Sequence, residues 1–167
     1  VRMNIDDTIL NSVEINIDEL EVEERWILNQ LNKTTYEFNR YLDDFKFNEA
    51  AKIIYEFTWN AYCDWFIEIA KTRFYGDDIE KNRKTQIVAV KTLKGILTLL
   101  HPYAPFITEE IWSYFCSKED SDLIVSPWLH IESYAPDLEA IKCFEALKGI
   151  ISSVRMIRSQ MNIPSNK

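Results

Sequence analysis

Two carboxylates one helical turn apart are the residues of this sequence best placed for acid–base chemistry. Asp64 and Glu68 lie in the apolar stretch FTWNAYCDWFIEIA, and their spacing places both on one face of a helix. Such a pair could act as general acid and base. Acidic side chains in an apolar helix are more commonly partners of a cation, so we favour a structural ion pair with Arg155 or Arg158.

Metal-dependent and nucleophilic chemistry have no support in the sequence. Neither His101 nor His130 follows a glutamate by three residues, which excludes the Glu-x-x-His pairs of carboxylate-bridged metal sites. Gly-x-Ser-x-Gly, Walker and Gly-rich dinucleotide motifs do not occur. We therefore predict no catalytic residue, metal site or cofactor in these residues. For His101 we favour a cap on the carbonyl groups of a helix end over a ligand role.

Cations and aromatic side chains suggest a second kind of site, for nucleic acid. A helix predicted from about Ile79 to Leu100 carries four cations within about 100° of its circumference: Arg83, Lys84, Lys91 and Lys94. This arc either contacts phosphates or is a solvated face, and the sequence leaves both interpretations open. Four aromatic residues could stack on bases, but in so apolar a helix we favour a core role for them: Trp59, Tyr62, Trp65 and Phe66.

The elements that would position these residues are helices. Only three of the 167 residues are glycine, which disfavours tight hairpins and phosphate-cradling loops and predicts an all-α fold. Hydrophobic periodicity predicts a bundle of about five helices, with a short extended segment near 122–132. The predicted helices cover about 18–44, 49–73, 79–100, 106–115 and 137–161, with Asp18 and Glu21 as a capping box and Pro164 as a stop.

In the last helix, apolar residues recur near one stripe, with Ile157 or Arg158 at its end: Leu138, Ile141, Phe144, Leu147, Ile151 and Val154.

Composition limits the class of protein further. The formal charge of −8 is unfavourable for phosphate backbones unless cations gather on one face, so any nucleic-acid contact must be local. The three cysteines are widely spaced and include no Cys-x-x-Cys pair, which is typical of free thiols in a reducing compartment and predicts a cytoplasmic protein. No apolar stretch is long enough to span a membrane, so we expect no membrane partner.

Four segments resemble, in order and spacing, the helical anticodon-binding domain of the valyl-tRNA synthetases. They are EERWILNQLN (23–32), DDFKFNEAAKIIYEFTWNAYCDWFIEIAK (43–71), LLHPYAPFITEEIW (99–112) and VRMIRSQMNIP (154–164). The resemblance implies a domain at 18–164, with 1–17 the tail of a preceding helix and a linker, and 165–167 the start of another linker. It also implies a larger class Ia enzyme that uses ATP and magnesium in a catalytic domain whose motifs are absent here.

By this resemblance the chain would bind and position the anticodon stem-loop of tRNA(Val), without a catalytic site or cofactor of its own. Arg83, Lys84, Lys91 and Lys94 are then candidate phosphate contacts, and Arg155 and Arg158 are either RNA contacts or internal ion-pair partners. The catalytic domain of the same chain would be a further partner, and a monomer is expected. The alternatives are a protein-interaction or scaffold bundle and the equivalent domain of an isoleucyl-type enzyme.

Overall fold

The protein is described here by a computed structural model over residues 16–116, 122–131 and 135–163, and these residues form helices and connections without a strand. Residues 1–15 of the predicted tail and linker at 1–17, the predicted linker at 165–167 and the stop at Pro164 lie outside them. The elements are α1 (Val22–Asp43), α2 (Phe47–Glu56), a π-helical segment (Phe57–Ile67), α3 (Glu68–Phe74), α4 (Ile79–Leu100), α5 (Pro105–Ser113) and α6 (Leu138–Gln160). The expectation of an all-helical bundle is confirmed.

Helix α1 begins one turn later than its predicted start. The backbone N–H of Asp18 donates to the Asn16 side chain at the start of a 3-10 turn, Ile17–Glu19. The capping box is formed by Glu21 and Glu24, because the N–H of Glu21 donates to the Glu24 carboxylate at 3.0 Å. The predicted box of Asp18 and Glu21 was therefore wrong by one turn.

The central helix is a single rod that changes its winding twice. Glu56, Phe57, Ile67 and Glu68 all have right-handed helical dihedrals, so α2, the π segment and α3 continue into one another. The sequence predicted an ordinary α-helix here. A π turn closes its hydrogen bonds one residue later than an α turn and is wider, which suits a stretch with so many bulky aromatic side chains.

Short joints reverse the chain between the helices. After α1, Phe45 adopts a left-handed φ of 57°, and the N–H of Lys46 donates to the carbonyl of Tyr41 at 2.7 Å, as in a Schellman motif. After α4, the N–H groups of Tyr103 and Ala104 both donate to the carbonyl of Leu100. Pro105 then occupies the first turn of α5, where a backbone N–H would have no acceptor within the helix, so that its absence breaks no helical hydrogen bond.

The core lies around α1, which packs against α2, the π segment, α4 and α6. Its largest fully buried apolar side chains come from all five of these elements: Trp26, Ile27, Phe38, Ile54, Phe66, Val88, Ile96, Leu99 and Phe144. Each such side chain contributes roughly 1.5–3 kcal/mol of transfer free energy to folding. Within the described residues, no helix is both long and apolar enough to span a membrane.

The segment expected to be extended is held at both ends by side chains of other helices. It contains a 3-10 turn, Leu123–Val125, whose N–H groups at Leu123 and Ile124 donate to the Glu109 carboxylate of α5. Further along, the Asn39 amide of α1 donates to the carbonyl of Leu129 at 3.0 Å and accepts from the indole N–H of Trp128 at 2.9 Å. These bonds replace the strand partner that the segment lacks.

Candidate nucleic-acid interface

Helix α4 carries the first group of predicted phosphate contacts. It begins where the Asp78 carboxylate accepts a 3.0 Å hydrogen bond from the backbone N–H of Lys81, which satisfies one of the free donors of the first turn. From there the helix runs without interruption to Leu100, so the four cations keep the arc predicted from the wheel. Their surroundings nevertheless differ, and they divide into two pairs.

Lys84 is surrounded by carboxylates. Its Nζ lies 3.0 Å from Oε1 of Glu80 and 3.1 Å from Oε2 of Glu19. The hydrogen bonds to Glu80 and Glu19 raise the pKa of Lys84, and the bond to Lys84 lowers the pKa of Glu19. Nearby, Lys81 pairs with Glu21 at 3.0 Å and lowers its pKa. The start of α4 is therefore a mixed-charge surface in which the charge of Lys84 is already compensated.

Lys94 lies against α5. Its Nζ is 5.2 Å from the ring centroid of Trp112, within the range of a cation–π interaction. Beside it, Val90 and Phe115 form a second buried cluster with Ile87. On the wheel Ile87 falls about 40° from Arg83, inside the basic arc. Helix α5 therefore covers part of the face that the sequence presented as continuously basic.

Arg83 and Lys91 remain exposed on α4. They are separated by eight residues, which corresponds to about 12 Å along the helix axis. On the helical wheel they lie about 80° apart, and Ile87 and Lys94, which pack toward α5, fall between them. Of the four cations predicted on this helix, these two are the exposed ones, whereas Lys84 and Lys94 are half-buried.

The second group of predicted contacts lies on α6. Arg155 is exposed, and its guanidinium lies 5.3 Å from the ring centroid of Trp65. Arg158 is half-buried in the last turn of α6. Helices α4 and α6 each pack against α1, so the two groups of cations belong to different helices of the bundle.

Asp64 and Glu68 are not in the core. Both carboxylates are exposed, and Glu68 accepts a 2.5 Å hydrogen bond from Lys71, which follows it by three residues in the same helix. Arg155, one of their two predicted partners, lies over Trp65. The structure thus differs from the expected interior ion pair, because the polar strip of the central helix faces solvent.

A buried ion pair joins the last turn of the same rod to α1. Glu24 is only 1% exposed, and it accepts hydrogen bonds from Arg73 at 3.0 Å and from the Thr85 hydroxyl at 2.6 Å. Arg73 also pairs with Glu23. This network joins α1, α3 and α4 and holds the start of α4 in place. Sequence reasoning missed it, because the only local signal is the position of Glu24 in the capping box.

His101 has a structural contact at the joint between α4 and α5. Its Nδ1 lies 2.8 Å from the Thr108 hydroxyl, which in turn donates to the carbonyl of Ala104 at 2.8 Å. The ring therefore braces the joint through a side chain rather than by capping a carbonyl. No group of three or more potential metal ligands occurs among the residues that the structure describes.

Two of the four aromatic residues of the central helix occupy the core as predicted. Tyr62 and Phe66 are buried and stack with ring centroids 6.0 Å apart, and the Tyr62 hydroxyl donates to the carbonyl of Ala89. Trp65 is half-buried against Phe144. Trp59 is 57% exposed, so its core prediction was wrong.

Comparisons with known proteins agree with this architecture. The family described as the anticodon-binding domain of tRNA ligase matches residues 24–167. The valine–tRNA ligase of Syntrophotalea carbinolica is 37% identical over 166 residues, which cover 99% of this chain and 18% of that protein. The corresponding enzymes of Enterococcus faecalis and Latilactobacillus sakei are 38% and 40% identical, and each match covers 100% of this chain and 19% of the relative.

The chain thus spans less than a fifth of the length of these relatives. The match extends over nearly the whole chain, including the central rod, the joint after α4 and helix α6. The chain belongs to the family of anticodon-binding domains of tRNA ligases.

Proposed function

We propose that this chain binds the anticodon arm of tRNA(Val) within a full-length valine–tRNA ligase. The main support is the family match over residues 24–167, together with the three relatives above, each of which is named valine–tRNA ligase. These names favour the valine enzyme over an isoleucyl-type enzyme, and the family favours RNA binding over a scaffold role. ATP and magnesium would be used elsewhere in the full-length, cytoplasmic and monomeric protein.

Within this function, Arg83 and Lys91 are the best candidates for phosphate contacts. Both are exposed, and a cation that neutralises a phosphate must be free to approach it. Lys84 and Lys94 are weaker candidates, because carboxylates surround the first and the second lies over Trp112. Arg155 and Arg158 form a separate candidate group on α6.

The role of such contacts in the parent reaction is positional. The formal charge of −8 opposes RNA overall, so a local cation must offset that repulsion where the backbone approaches. Binding energy gained far from the reacting atoms can be used in the transition state, since it orients the end of the tRNA that reacts. The bundle therefore would contribute to aminoacylation without touching the reacting groups.

Reversing the charge of Lys91 in the full-length enzyme tests this proposal. Lys91→Glu should raise the KM for tRNA several-fold and reduce the slope of log affinity against log salt by about one, as expected for a lost phosphate contact. Formation of the valyl-adenylate, which does not need tRNA, should be unchanged. Lys52→Glu is the matched control, because Lys52 is an exposed lysine on α2, outside both candidate groups.

The comparison of the two variants decides the assignment. If the KM for tRNA and the slope of log affinity against log salt change equally in Lys91→Glu and Lys52→Glu, the effect is a general one of charge. That result would remove Lys91 from the interface. If the KM is unchanged in both Lys91→Glu and Arg83→Glu, Arg155 and Arg158 on α6 become the leading candidates among the described residues.

A further inference from the structure

Helix α6 packs against α1 with a side that carries both the buried Phe144 and cations. Phe144 is buried against Trp26, with ring centroids 3.9 Å apart. One turn later the Lys148 ammonium lies 5.7 Å from the ring centroid of Trp26 and 5.6 Å from that of Trp65, and Arg155 also lies over Trp65. Residues 144, 148 and 155 fall within about 40° on the helical wheel, so they mark the side that faces the bundle.

The apolar side of the same helix faces outward. Five large apolar residues fall within about 80° on the wheel, next to the bundle-facing side. Their exposed fractions are high for such residues: Leu147 42%, Ile150 64%, Val154 51%, Ile157 51% and Met161 66%. An apolar stripe that continues over four turns of helix is typical of an interface rather than of scattered surface residues. We call these five residues the α6 stripe.

The charges beside the α6 stripe indicate what kind of surface would cover it. Between residues 147 and 163 the helix and its end carry Lys148, Arg155 and Arg158 and no acidic residue. Two copies of α6 packed side by side would bring these like charges together, which disfavours a homodimer. RNA could approach the cations, but its phosphates would leave the apolar side chains unburied. An apolar protein surface with an acidic margin satisfies both features.

We propose that the α6 stripe docks onto an apolar, acid-margined surface contributed by the same polypeptide outside these 167 residues. The relatives are about five times as long as this chain, which supplies the polypeptide needed for such a surface. The stripe would enter a groove with anchors spaced at three and four residues, the usual pattern of a helix in a groove. The proposal does not depend on RNA binding, since the partner is protein.

Cysteine accessibility in the full-length protein tests this proposal. Val154→Cys places a thiol in the α6 stripe, and Met156→Cys is the matched control, because Met156 is 57% exposed and projects about 160° away on the same helix. In the folded protein Val154→Cys should be alkylated about tenfold more slowly than Met156→Cys, because it reacts only after local opening. In urea the two rates should be equal. Peptide mass spectrometry separates these thiols from the native cysteines.

Each other outcome contradicts the proposal. Equal alkylation in the folded protein would show that the α6 stripe remains exposed. If the slow alkylation of Val154→Cys becomes fast on dilution, with a matching change in sedimentation, a second copy of the protein covers the α6 stripe. Protection that appears only after tRNA is added would assign it to the RNA. Loss of tRNA binding by Lys91→Glu would not alter the alkylation rates, so this test fails or succeeds separately from the proposed function.

Discussion

Replacing Arg73 tests whether the network around Glu24 holds the bundle together. In Arg73→Met the Glu24 carboxylate keeps the Thr85 hydroxyl and the backbone N–H of Glu21 but loses the guanidinium that pairs with it. Removing one partner of a buried ion pair costs about 3–5 kcal/mol, because a charge is left without compensation. Since Arg73 is about one-fifth exposed and two hydrogen bonds remain, we expect the lower end, about 3 kcal/mol.

Urea unfolding of the 167-residue chain, followed by tryptophan fluorescence and circular dichroism, measures this loss. For a domain of this size, about 3 kcal/mol corresponds to a decrease in Tm of roughly 6–12 °C. Lys71→Met is the matched control on the same helix, because Lys71 makes an exposed ion pair with Glu68. Exposed pairs contribute about 0–1 kcal/mol, so the control should stay close to the parent.

A double variant separates the ion pair from other effects of the substitution. Glu24→Gln removes the charge that Arg73 compensates, so Glu24→Gln with Arg73→Met should lose less stability than the sum of the two single variants. If Arg73→Met lowers the free energy of unfolding no more than Lys71→Met does, the network around Glu24 does not stabilise the fold. Additive losses would show that Arg73 stabilises the bundle through its aliphatic stem instead.

Two further predictions concern helix packing and acid stability. A Cβ at Gly95 would lie 3.0 Å from both δ carbons of the buried Leu31, whereas one at Gly149 would meet nothing within 4 Å. Gly95→Ala should therefore destabilise the chain by about 1 kcal/mol or more through overpacking, and Gly149→Ala should stabilise it by about 0.5–1 kcal/mol through helix propensity. Equal effects in urea unfolding would contradict the close approach of α1 and α4. The second prediction rests on Asp137, whose pKa is lowered mainly by its hydrogen bonds from Arg25. Because the folded pKa lies below the unfolded value of about 3.9, this stabilisation is complete above that pH and is lost as the pH falls through the folded pKa. Asp137→Asn should thus lower the Tm at neutral pH and make the Tm fall less steeply as the pH drops below about 4. If the dependence of Tm on pH is unchanged in the acid range, other carboxylates cause the loss of stability there.

The positions of the helices could be predicted because they depend on local patterns. The predicted start of α4 at Ile79 and its end at Leu100 agree with the structure, since Asp78 caps one end and Pro102 follows the other. The start of α1 was misplaced because Asp18 and Glu21 have the same spacing as the true box. Two candidate boxes that overlap cannot be separated by local pattern alone.

The candidate site could be predicted only as a set of residues. The wheel correctly grouped four cations on α4, but only the folded chain reveals that Glu19 approaches Lys84 and that Trp112 lies beneath Lys94. Likewise, the wheel grouped apolar residues of α6 near one stripe, but only the folded chain reveals that Phe144 packs on Trp26 whereas Leu147, Val154 and Ile157 stay exposed.

The sequence by itself determined the helical class, the approximate bounds of the helices and the family resemblance, because each depends on spacing within a short stretch of chain. Tertiary structure alone decided which charges are buried, which cations stay exposed and which side of α6 faces the bundle. Glu24 and Arg73 are 49 residues apart, and no periodicity connects them. Their pairing depends on the packing of α1, α3 and α4, and only that packing removes the carboxylate from water and makes its partner necessary.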